Sequence, residues 1–326
     1  MRRNKGVLPM KHIFIVNPAA GKCDRSVQIR NTAAAVLGKL GMEYDVLISK
    51  GPGDCTRLAR EAAESGEEVR LYACGGDGTL NEVINGIVGF DHVSVTHYPA
   101  GSGNDFVKIF DNPQAFRDLE RLLDCDEAMF DLIECRSDDH LCYANNIVSM
   151  GLDARIGTEM GLYRRLPLVS GKGAYYLSTA VNLFKGIHKP YEVELNDEFI
   201  IGNHTMICVC NGRHYGGSFN PVPDAEPDDG LLDVLLVEPV NLLQIAMVIG
   251  KYQDGRYAEY PDLIRHYRTD KIRIHCFEDS VVNLDGESLR THEITFSISE
   301  HKLRFFFPKG LQYHAKASKA AETAAI

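Results

Sequence analysis

The sequence predicts a two-lobed fold, a doubly wound, Rossmann-like α/β lobe followed by a β-rich sandwich lobe. In the first part of the chain, short apolar runs alternate with helical stretches, which is typical of a parallel sheet covered by helices on both faces. From about Phe130 the pattern changes to short, alternating strands separated by turn residues. The length of 326 residues is about twice the commonest domain size, which also favours two lobes.

The elements of the first lobe follow from apolar runs that end at turn residues. The predicted strands are His12–Val16, Tyr44–Ile48, Val69–Ala73 and Val93–Tyr98, and the first two predicted helices lie near Val27–Leu40 and Thr56–Ser65. A third helix is predicted to begin near Thr79, because the apolar residues from Leu80 to Ile87 repeat at i, i+3, i+4 and i+7. Ligands of doubly wound sheets bind at the carboxyl ends of the strands, so the segments that follow these strands are the candidate binding loops.

The second lobe is predicted from short strands with turn residues between them. The predicted strands are Met206–Cys210, Leu231–Val237, Val281–Leu284 and Glu293–Ile298, and helices are predicted around Gly173–Ile187 and Asn241–Tyr252. We place the α/β lobe at residues 1–131 and the β-rich lobe at residues 132–305, and a return of residues 306–326 to the first lobe stays open. The alanine-rich end, Ala315–Ile326, is either a frayed helix or a disordered tail.

Composition and charge limit the kinds of binding partner and the cellular compartment that we expect for the protein. A net charge of −10 lacks the basic footprint of a nucleic-acid-binding protein, so no nucleic-acid partner is expected. The longest apolar runs, such as Ile245–Ile249 and Leu231–Val237, are far shorter than the roughly 18–20 residues of a membrane span. Ile13–Val16 is too short for the apolar region of a signal peptide, so a cytoplasmic protein is expected. The nine cysteines are scattered, and the C-x-C pair Cys208 and Cys210 is expected to be buried and reduced.

The strongest motif is C-G-G-D-G-T-L-N-E-V, which begins at Cys74 directly after a predicted strand. Closely spaced glycines let the backbone approach a ligand, and the free N–H groups where a helix begins suit a phosphate. Asp77 would repel a polyphosphate unless a cation lay between them, so magnesium is implied. The alternative is a glycine-rich turn in which Asp77 or Thr79 caps the helix. The candidate phosphate-binding residues of this motif are Gly75, Gly76, Asp77, Gly78, Thr79, Leu80, Asn81 and Glu82.

Two further loops follow strands of the same sheet. P-A-G-S-G-N-D-F follows Val93–Tyr98 and contributes the candidates Gly101, Ser102, Asn104 and Asp105, although Ser102 or Asn104 could instead be a simple helix cap. N-P-A-A-G-K follows the first strand and contributes Asn17, Pro18, Ala19, Ala20, Gly21 and Lys22. Lys22 can reach a phosphate as a point charge, and the alternative is an ordinary surface lysine.

These three motifs, in this order and each at a strand end, resemble those of the diacylglycerol kinase catalytic-domain family, which includes bacterial soluble lipid kinases and sphingosine and ceramide kinases. S-K-G-P-G-D, which starts at Ser49, resembles the exit of the family's second strand, where threonine is usual and the adenosine lies nearby. The G-G-D-G-T core is shared with NAD kinases and phosphofructokinases, so the resemblance implies a first lobe of that kind. P-A-G-S-G-N-D-F resembles the lipid-kinase branch.

The resemblance extends to two later motifs. D-A-E-P-D-D-G-L-L-D, which starts at Asp224, implies a structural magnesium held by the Asp229 side chain and the backbone carbonyls of Glu226 and Leu231, whereas a plain D-G turn is the alternative. D-G-E implies the base that takes the proton from a lipid hydroxyl, and Asp285 is narrowly favoured as that base with Glu287 as its partner. Without the resemblance, Asp-Gly between alternating residues is chiefly a hairpin turn.

The resemblance as a whole implies an ATP-dependent lipid kinase. Mg-ATP is expected in the cleft between the lobes, and diacylglycerol, which would yield phosphatidic acid, is the default acceptor. Such an enzyme must reach a lipid at the inner face of the membrane without a span, and Gly161–Lys172 is the candidate contact, with an ordinary solvated loop as the alternative. A homodimer stays open. The alternatives are an NAD kinase-like small-molecule kinase and a catalytically inactive lipid-binding regulator, and the intact D-G-E and G-G-D-G-T motifs argue against the latter.

Overall fold

A computed structural model describes residues 10–152, 154–155 and 188–314. These residues form two compact units. The first contains the described chain up to Phe130 together with His301–Tyr313, and the second contains the described part of Asp131–Glu300 together with His314. The predicted helix Gly173–Ile187, the candidate membrane contact Gly161–Lys172 and the tail Ala315–Ile326 lie outside the described residues.

The described residues contain sixteen strands. They are β1 Lys11–Val16, β2 Tyr44–Ile48, β3 Val69–Gly75, β4 Val93–Pro99, β5 Cys125–Phe130, β6 Ile133–Arg136, β7 Leu141–Ala144, β8 Ile147–Gly151, β9 Lys189–Leu195, β10 Glu198–His204, β11 Met206–Cys210, β12 Leu232–Val237, β13 Ile264–Thr269, β14 Lys271–Leu284, β15 Glu287–Ile298 and β16 Leu303–Pro308. The helices with described bounds are α1 Ser26–Ala33, α2 Asp54–Ala63, α3 Asp77–Ile87, α4 Leu119–Leu123 and α5 Leu242–Gln253. Shorter 3₁₀ segments are Phe106–Ile109, Pro113–Arg117 and Tyr257–Glu259, and a π-helical turn, Ala34–Gly38, continues α1.

The first unit is built on a six-stranded sheet in the order β2-β1-β3-β4-β16-β5. The first four strands are parallel, β16 joins β4 in parallel, and β5 is antiparallel at the edge. The predicted α/β lobe with a parallel sheet is therefore confirmed. The chain order reverses between β1 and β3, and the crevice at such a switch point is where doubly wound sheets bind ligands.

The predicted start of the third helix is wrong by two residues. α3 begins at Asp77 rather than Thr79, because Gly76 has extended backbone angles and is the N-cap residue. Neither Asp77 nor Thr79 therefore caps the helix, and no side chain in the described structure bonds the cap position. P-A-G-S-G-N-D-F leads into a single 3₁₀ segment, Phe106–Ile109, and the buried Phe106 ring packs against Phe130 and Phe305.

The second unit is a ten-stranded sheet, in agreement with the predicted β-rich lobe. Its main path runs β13-β12-β11-β8-β14-β15-β6-β7, and β9 pairs with β14 and with β10. Strands β14 and β15 form a long hairpin whose two tip residues, Asp285 and Gly286, both have positive φ angles of 50° and 98°. That backbone is the tight hairpin turn that Asp-Gly favours. Cys208 and Cys210 are buried in β11 and are not disulfide-bonded, as predicted.

Candidate active site

Three loops follow β1, β3 and β4, and they contact one another at the carboxyl edge of the first sheet. The Asn17 side chain, in the first loop, donates from Nδ2 to Thr79 Oγ1 over 3.1 Å. The backbone of the first loop also reaches the third, because a Cβ atom placed at Gly21 would lie 2.3 Å from the carbonyl oxygen of Ala100. The sheet therefore brings the three glycine-rich motifs together, although they lie in different parts of the sequence.

The second loop presents uncapped backbone N–H groups where α3 begins. The first helical bond runs from the Leu80 N–H to the Gly76 carbonyl over 3.1 Å, so the N–H groups of residues 77–79 precede it. Within the described structure no side chain caps this end. Free N–H groups and the positive end of an eleven-residue helix form a binding place for phosphate oxygens.

The third loop is fixed against the second through one carbonyl group. The Gly75 oxygen accepts hydrogen bonds from the N–H groups of Ala100 (2.8 Å) and Gly101 (3.0 Å). Gly101 lies so close that a Cβ atom there would be 2.4 Å from the Gly76 Cα atom. Side chains at Gly101 would push the two loops apart, so this position requires glycine for close approach.

Polar side chains complete the connection between these two loops. Asn104 has a positive φ of 49°, and its amide group bonds both backbone groups of Gly101, at 3.0 Å and 2.9 Å. Asp77 Oδ1 accepts the backbone N–H of Asp105 at 2.5 Å. Asp105 in turn pairs with Lys108. The predicted candidates Asp77, Asn104 and Asp105 therefore form one network.

The second oxygens of Asp77 and Asp105 face the same small space beside Gly103. A Cβ atom placed at Gly103 would lie 2.7 Å from Asp77 Oδ2 and 3.1 Å from Asp105 Oδ2. One or two carboxylates together with substrate phosphates are the usual ligands of Mg²⁺. The donor set and the space that glycine leaves open both fit a magnesium ion bound with a nucleotide.

In the second unit, Asp285 at the hairpin tip holds the bend between β7 and β8. Asp285 Oδ2 accepts the N–H groups of Asn145 (2.7 Å) and Asn146 (3.1 Å), and Oδ1 accepts that of Ile147 (2.8 Å). These donors belong to residues that are buried, so the carboxylate satisfies N–H groups that water does not reach. Glu287 is exposed at the start of β15, and no partner for it occurs among the described residues.

Both oxygens of Asp229, the predicted structural-magnesium ligand, are occupied by protein groups. Oδ1 accepts the Leu231 N–H at 3.0 Å, and Oδ2 pairs with the Arg268 guanidinium. Burial raises the pKa of Asp229, and these two partners oppose that shift. The structural magnesium with Asp229, Glu226 and Leu231 stays a prediction.

A second group of potential ligand atoms includes two residues close to Asp229 in the sequence. Ligand atoms of Glu226, Asp228 and His314 lie within 4.8 Å of one another. Glu226 also faces the Arg213 guanidinium at 3.3 Å and the His314 ring at 3.1 Å. Because cationic and imidazole partners already satisfy Glu226, we assign no metal to this group.

Comparison with known proteins decides the family. The family profile described as the diacylglycerol kinase catalytic domain matches residues 11–135. A second profile, described as the YegS C-terminal NAD kinase beta sandwich-like domain, matches residues 146–307. The chain belongs to the diacylglycerol kinase catalytic-domain family. The predicted resemblance and the predicted fold class are confirmed.

Members of this family resemble the chain over most of its length. A diacylglycerol kinase of Staphylococcus epidermidis is 27% identical over 298 residues, which cover 91% of this chain and 92% of that protein. A diacylglycerol kinase of Staphylococcus saprophyticus is 29% identical over 280 residues, with 84% and 88% covered. The crystal structure of a diacylglycerol kinase from Bacillus anthracis str. Sterne has a TM-score of 0.62 at 20% identity and covers 90% of this chain and 96% of that one. At that identity the structural likeness supports the fold.

The remaining residues of the family motifs differ in how exposed they are. Lys22, Ala19 and Ser102 are exposed, Pro18, Ala20 and Gly78 are half-buried, and Ser49, Leu80 and Asn81 are buried. Glu82 supports the start of α2, since its Oε2 accepts the Cys55 N–H at 3.1 Å and its carbonyl accepts the Thr56 hydroxyl at 2.9 Å. Leu80 is buried and its N–H donates to the Gly76 carbonyl, whereas Lys22 can extend a charge into solvent.

His97 is a residue of the site that the sequence analysis missed. It is fully buried in β4, and its Nε2 lies 3.0 Å from the Gly75 carbonyl. Burial lowers the pKa of His97, and the nearby carboxylates of Asp77 and Asp105 oppose the shift. Since a carbonyl only accepts, Nε2 carries the proton of the neutral ring. The only sequence indication is a histidine in the predicted strand Val93–Tyr98, directly before the loop.

Proposed function

We propose that this family member is an ATP-dependent lipid kinase that transfers the γ-phosphate of Mg-ATP to a lipid hydroxyl, with diacylglycerol as acceptor and phosphatidic acid as product. The observation that carries the proposal is the network that joins the three motif loops at the ends of β1, β3 and β4. Asp77 bonds the Asp105 N–H, and Asn17 bonds Thr79, so the loops are held together by their own residues. A preformed phosphate site is what a phosphoryl-transfer enzyme needs most.

In the proposed nucleotide site, backbone N–H groups and the charged side chain of Lys22 bind the phosphates. The uncapped N–H groups of Asp77, Gly78 and Thr79 bind phosphate oxygens, and Gly101 lets the third loop approach from the other side. Lys22 is exposed and has no ion-pair partner in the described part of the chain, so it is available as a point charge for the phosphates. Ser49, which is buried, would lie on the adenosine side as the family motif implies.

Asp77 and Asp105 would hold the magnesium ion of the nucleotide. Magnesium, when bound with ATP, neutralises the charge of the transferred phosphoryl group. The Lys108 partner of Asp105 and the amide donor on Asp77 fix both carboxylates before a ligand arrives. His97 stays neutral beneath the loop, and it supports the Gly75 carbonyl without adding a charge that would compete with the cation.

The D-G-E element would act on the acceptor hydroxyl, with Asp285 as the base. In a loose transition state the base must chiefly orient the hydroxyl, so a carboxylate fixed by three N–H groups suits this role. Glu287, exposed at the next strand, is proposed as the partner that extends the acidic tip toward the substrate. Asp285 would accept the hydroxyl proton as the phosphoryl group leaves ATP.

The proposed acceptor places the enzyme at the cytoplasmic face of a membrane. Among the described residues, none of the helices combines the length and apolar character needed to span a bilayer. We propose that the enzyme reaches its lipid substrate by peripheral contact with the membrane.

The deciding experiment offers radiolabelled ATP with diacylglycerol, sphingosine, undecaprenol and NAD in separate reactions. We expect magnesium-dependent label on diacylglycerol and none with the Asp77→Ala variant. Label on NAD alone would establish the small-molecule kinase instead. A folded protein that binds ATP and labels none of the four would establish the inactive regulator.

A further inference from the structure

Helix α5, Leu242–Gln253, is apolar on both of its faces. Its inner face carries Val248 and Tyr252, which are buried, and Ile245, which packs beside them against the core behind β11 and β12. A surface helix normally turns polar residues outward, and a helix that is apolar all round is normally covered. The outer face of α5 therefore requires a separate explanation.

Helix α5 exposes four large apolar side chains on its outer side and on one flank. Leu243 is 78% exposed, Met247 61%, Leu242 55% and Ile249 44%. At about 3.6 residues per turn, Leu243 and Met247 lie one above the other on the side away from the buried Val248 and Tyr252. Leu242 and Ile249 lie together on the flank of the helix, next to the buried residues. We call these four exposed residues the α5 outer face. Four of the twelve large apolar side chains that are exposed in the described structure lie on this one helix.

Charged groups are absent from the α5 outer face. The only charged residue within the twelve residues of α5 is Lys251, and it is paired with Glu259 at 3.1 Å. The Asn241 side chain and Gln244 form a capping box, which satisfies backbone groups at the start of the helix with neutral amides. Nothing on this face would have to lose a charge or an unbonded backbone donor on entering an apolar phase.

We infer that the α5 outer face lies in the interfacial layer of the lipid bilayer that supplies the acceptor. This inference rests on the proposed lipid-kinase function. A second copy of the chain fits less well, because a stable dimer interface uses roughly 20–30 residues a side and polar groups that fix its register. Four side chains on one helix are too few for that, but they suffice for insertion of an apolar helix face just below the headgroups.

The net charge of the protein indicates which kind of lipid surface the α5 outer face would bind. At a net charge of −10, attraction to anionic lipids is not the driving force, so binding depends on burial of apolar surface. Diacylglycerol itself is uncharged. The α5 outer face is therefore suited to neutral membranes that contain it.

The test compares three full-length proteins: the wild type, the double variant Leu243→Glu/Met247→Glu, and the control Val27→Glu. Val27 is 72% exposed on α1 of the other unit, so the control places a carboxylate at an equally exposed apolar position of a helix. Flotation with phosphatidylcholine vesicles containing diacylglycerol, without ATP, measures membrane binding. Kinase activity on a water-dispersed short-chain diacylglycerol measures catalysis apart from the membrane.

We expect the wild type and the control to float with vesicles, and the double variant to bind at least roughly tenfold less, since it loses burial of two large side chains. Activity on the dispersed substrate should be equal in all three, and their melting temperatures should match. Equal flotation of all three, or no flotation of the wild type, would overturn the inference. A wild-type dimer that the double variant converts to a monomer would assign the face to a second copy. Inactivity of all three on diacylglycerol, with flotation as expected, would refute the proposed function and leave the membrane face standing.

Discussion

Asp285→Asn tests whether the hairpin tip holds the second unit together. The change keeps the size of the side chain, and asparagine tolerates the positive φ of 50° at this position as well as aspartate does. The turn itself is therefore unaffected. What the substitution removes is the negative charge and one of the two acceptor oxygens, which serve the N–H groups of Asn145, Asn146 and Ile147.

The three hydrogen bonds set the expected cost. With its oxygen at the Oδ2 position, asparagine keeps two acceptor contacts in neutral form and turns its NH₂ group toward the Ile147 N–H. The lost acceptor leaves a donor of a residue only 4% exposed without a partner, at a cost of about 1–3 kcal/mol. Each of the other two bonds loses its charge assistance, worth about 1 kcal/mol. The sum is about 3 kcal/mol or more, which corresponds to a fall in melting temperature of roughly 6–12 °C for a unit of this size.

Glu287→Gln is the matched control. It makes the same chemical change two residues away, on an exposed side chain without a hydrogen bond in the described structure, so its stability should change by less than about 0.5 kcal/mol. Thermal unfolding of both variants measures the difference, and kcat below the transition separates catalysis from folding. An unchanged melting temperature for Asp285→Asn would show that the three bonds do not form in solution. A near-normal kcat for Asp285→Asn beside an inactive Glu287→Gln would transfer the base role to Glu287.

Three further predictions concern the first unit. Gly101→Ala should abolish ATP binding, because its Cβ would lie 2.4 Å from the Gly76 Cα atom, whereas Gly250→Ala, which meets open space on α5, should bind ATP normally in the same titration. Asp77→Asn should weaken magnesium-dependent ATP binding by roughly tenfold or more while retaining the fold, and an unchanged calorimetric titration would remove Asp77 from the site. Burial lowers the pKa of His12 to about 4, so unfolding should become easier as the pH falls from about 6.5 toward 4, and a melting temperature that stays flat over this range would contradict it.

Local sequence patterns predicted the first four strands of the first unit well, but they predicted neither β5 nor β16, nor the place of these two strands in the sheet. Strands β1, β2 and β4 begin and end within one residue of their predicted limits, since buried parallel strands are short apolar runs between turn residues. No local pattern could place β16 between β4 and β5. Its register pairs Phe305 with Val95 and Ala128, residues far away in sequence, and the driving force is the burial of its aromatic rings against Phe106 and Phe110.

The sequence predicted which residues form the site, but not which of them contact one another. On its own, the D-G-E motif predicts a hairpin turn. With the resemblance to the family taken into account, it predicts a catalytic base. The hairpin is present, and its turn aims Asp285 at N–H groups 138 to 140 residues away in sequence. The contact requires β8 and β14 to pair in one register, with Leu284 opposite Val148, and that register is set by the packing of whole strands. His97 was missed for a related reason, since its role depends on the distant Gly75 carbonyl.

The glycines of the motif loops chiefly allow the loops to contact one another closely, and flexibility is the lesser reason for them. Gly51 and Gly101 are indistinguishable as letters, yet a Cβ atom would meet open space at Gly51 and the Gly76 backbone at Gly101. Gly21 adds a positive φ of 79° and stands against Ala100 in the same way. Loops that touch backbone to backbone lose little entropy when a nucleotide binds, because they are already ordered. The binding energy of the phosphates can then be used for alignment of the transferred group, which is the main requirement of phosphoryl transfer.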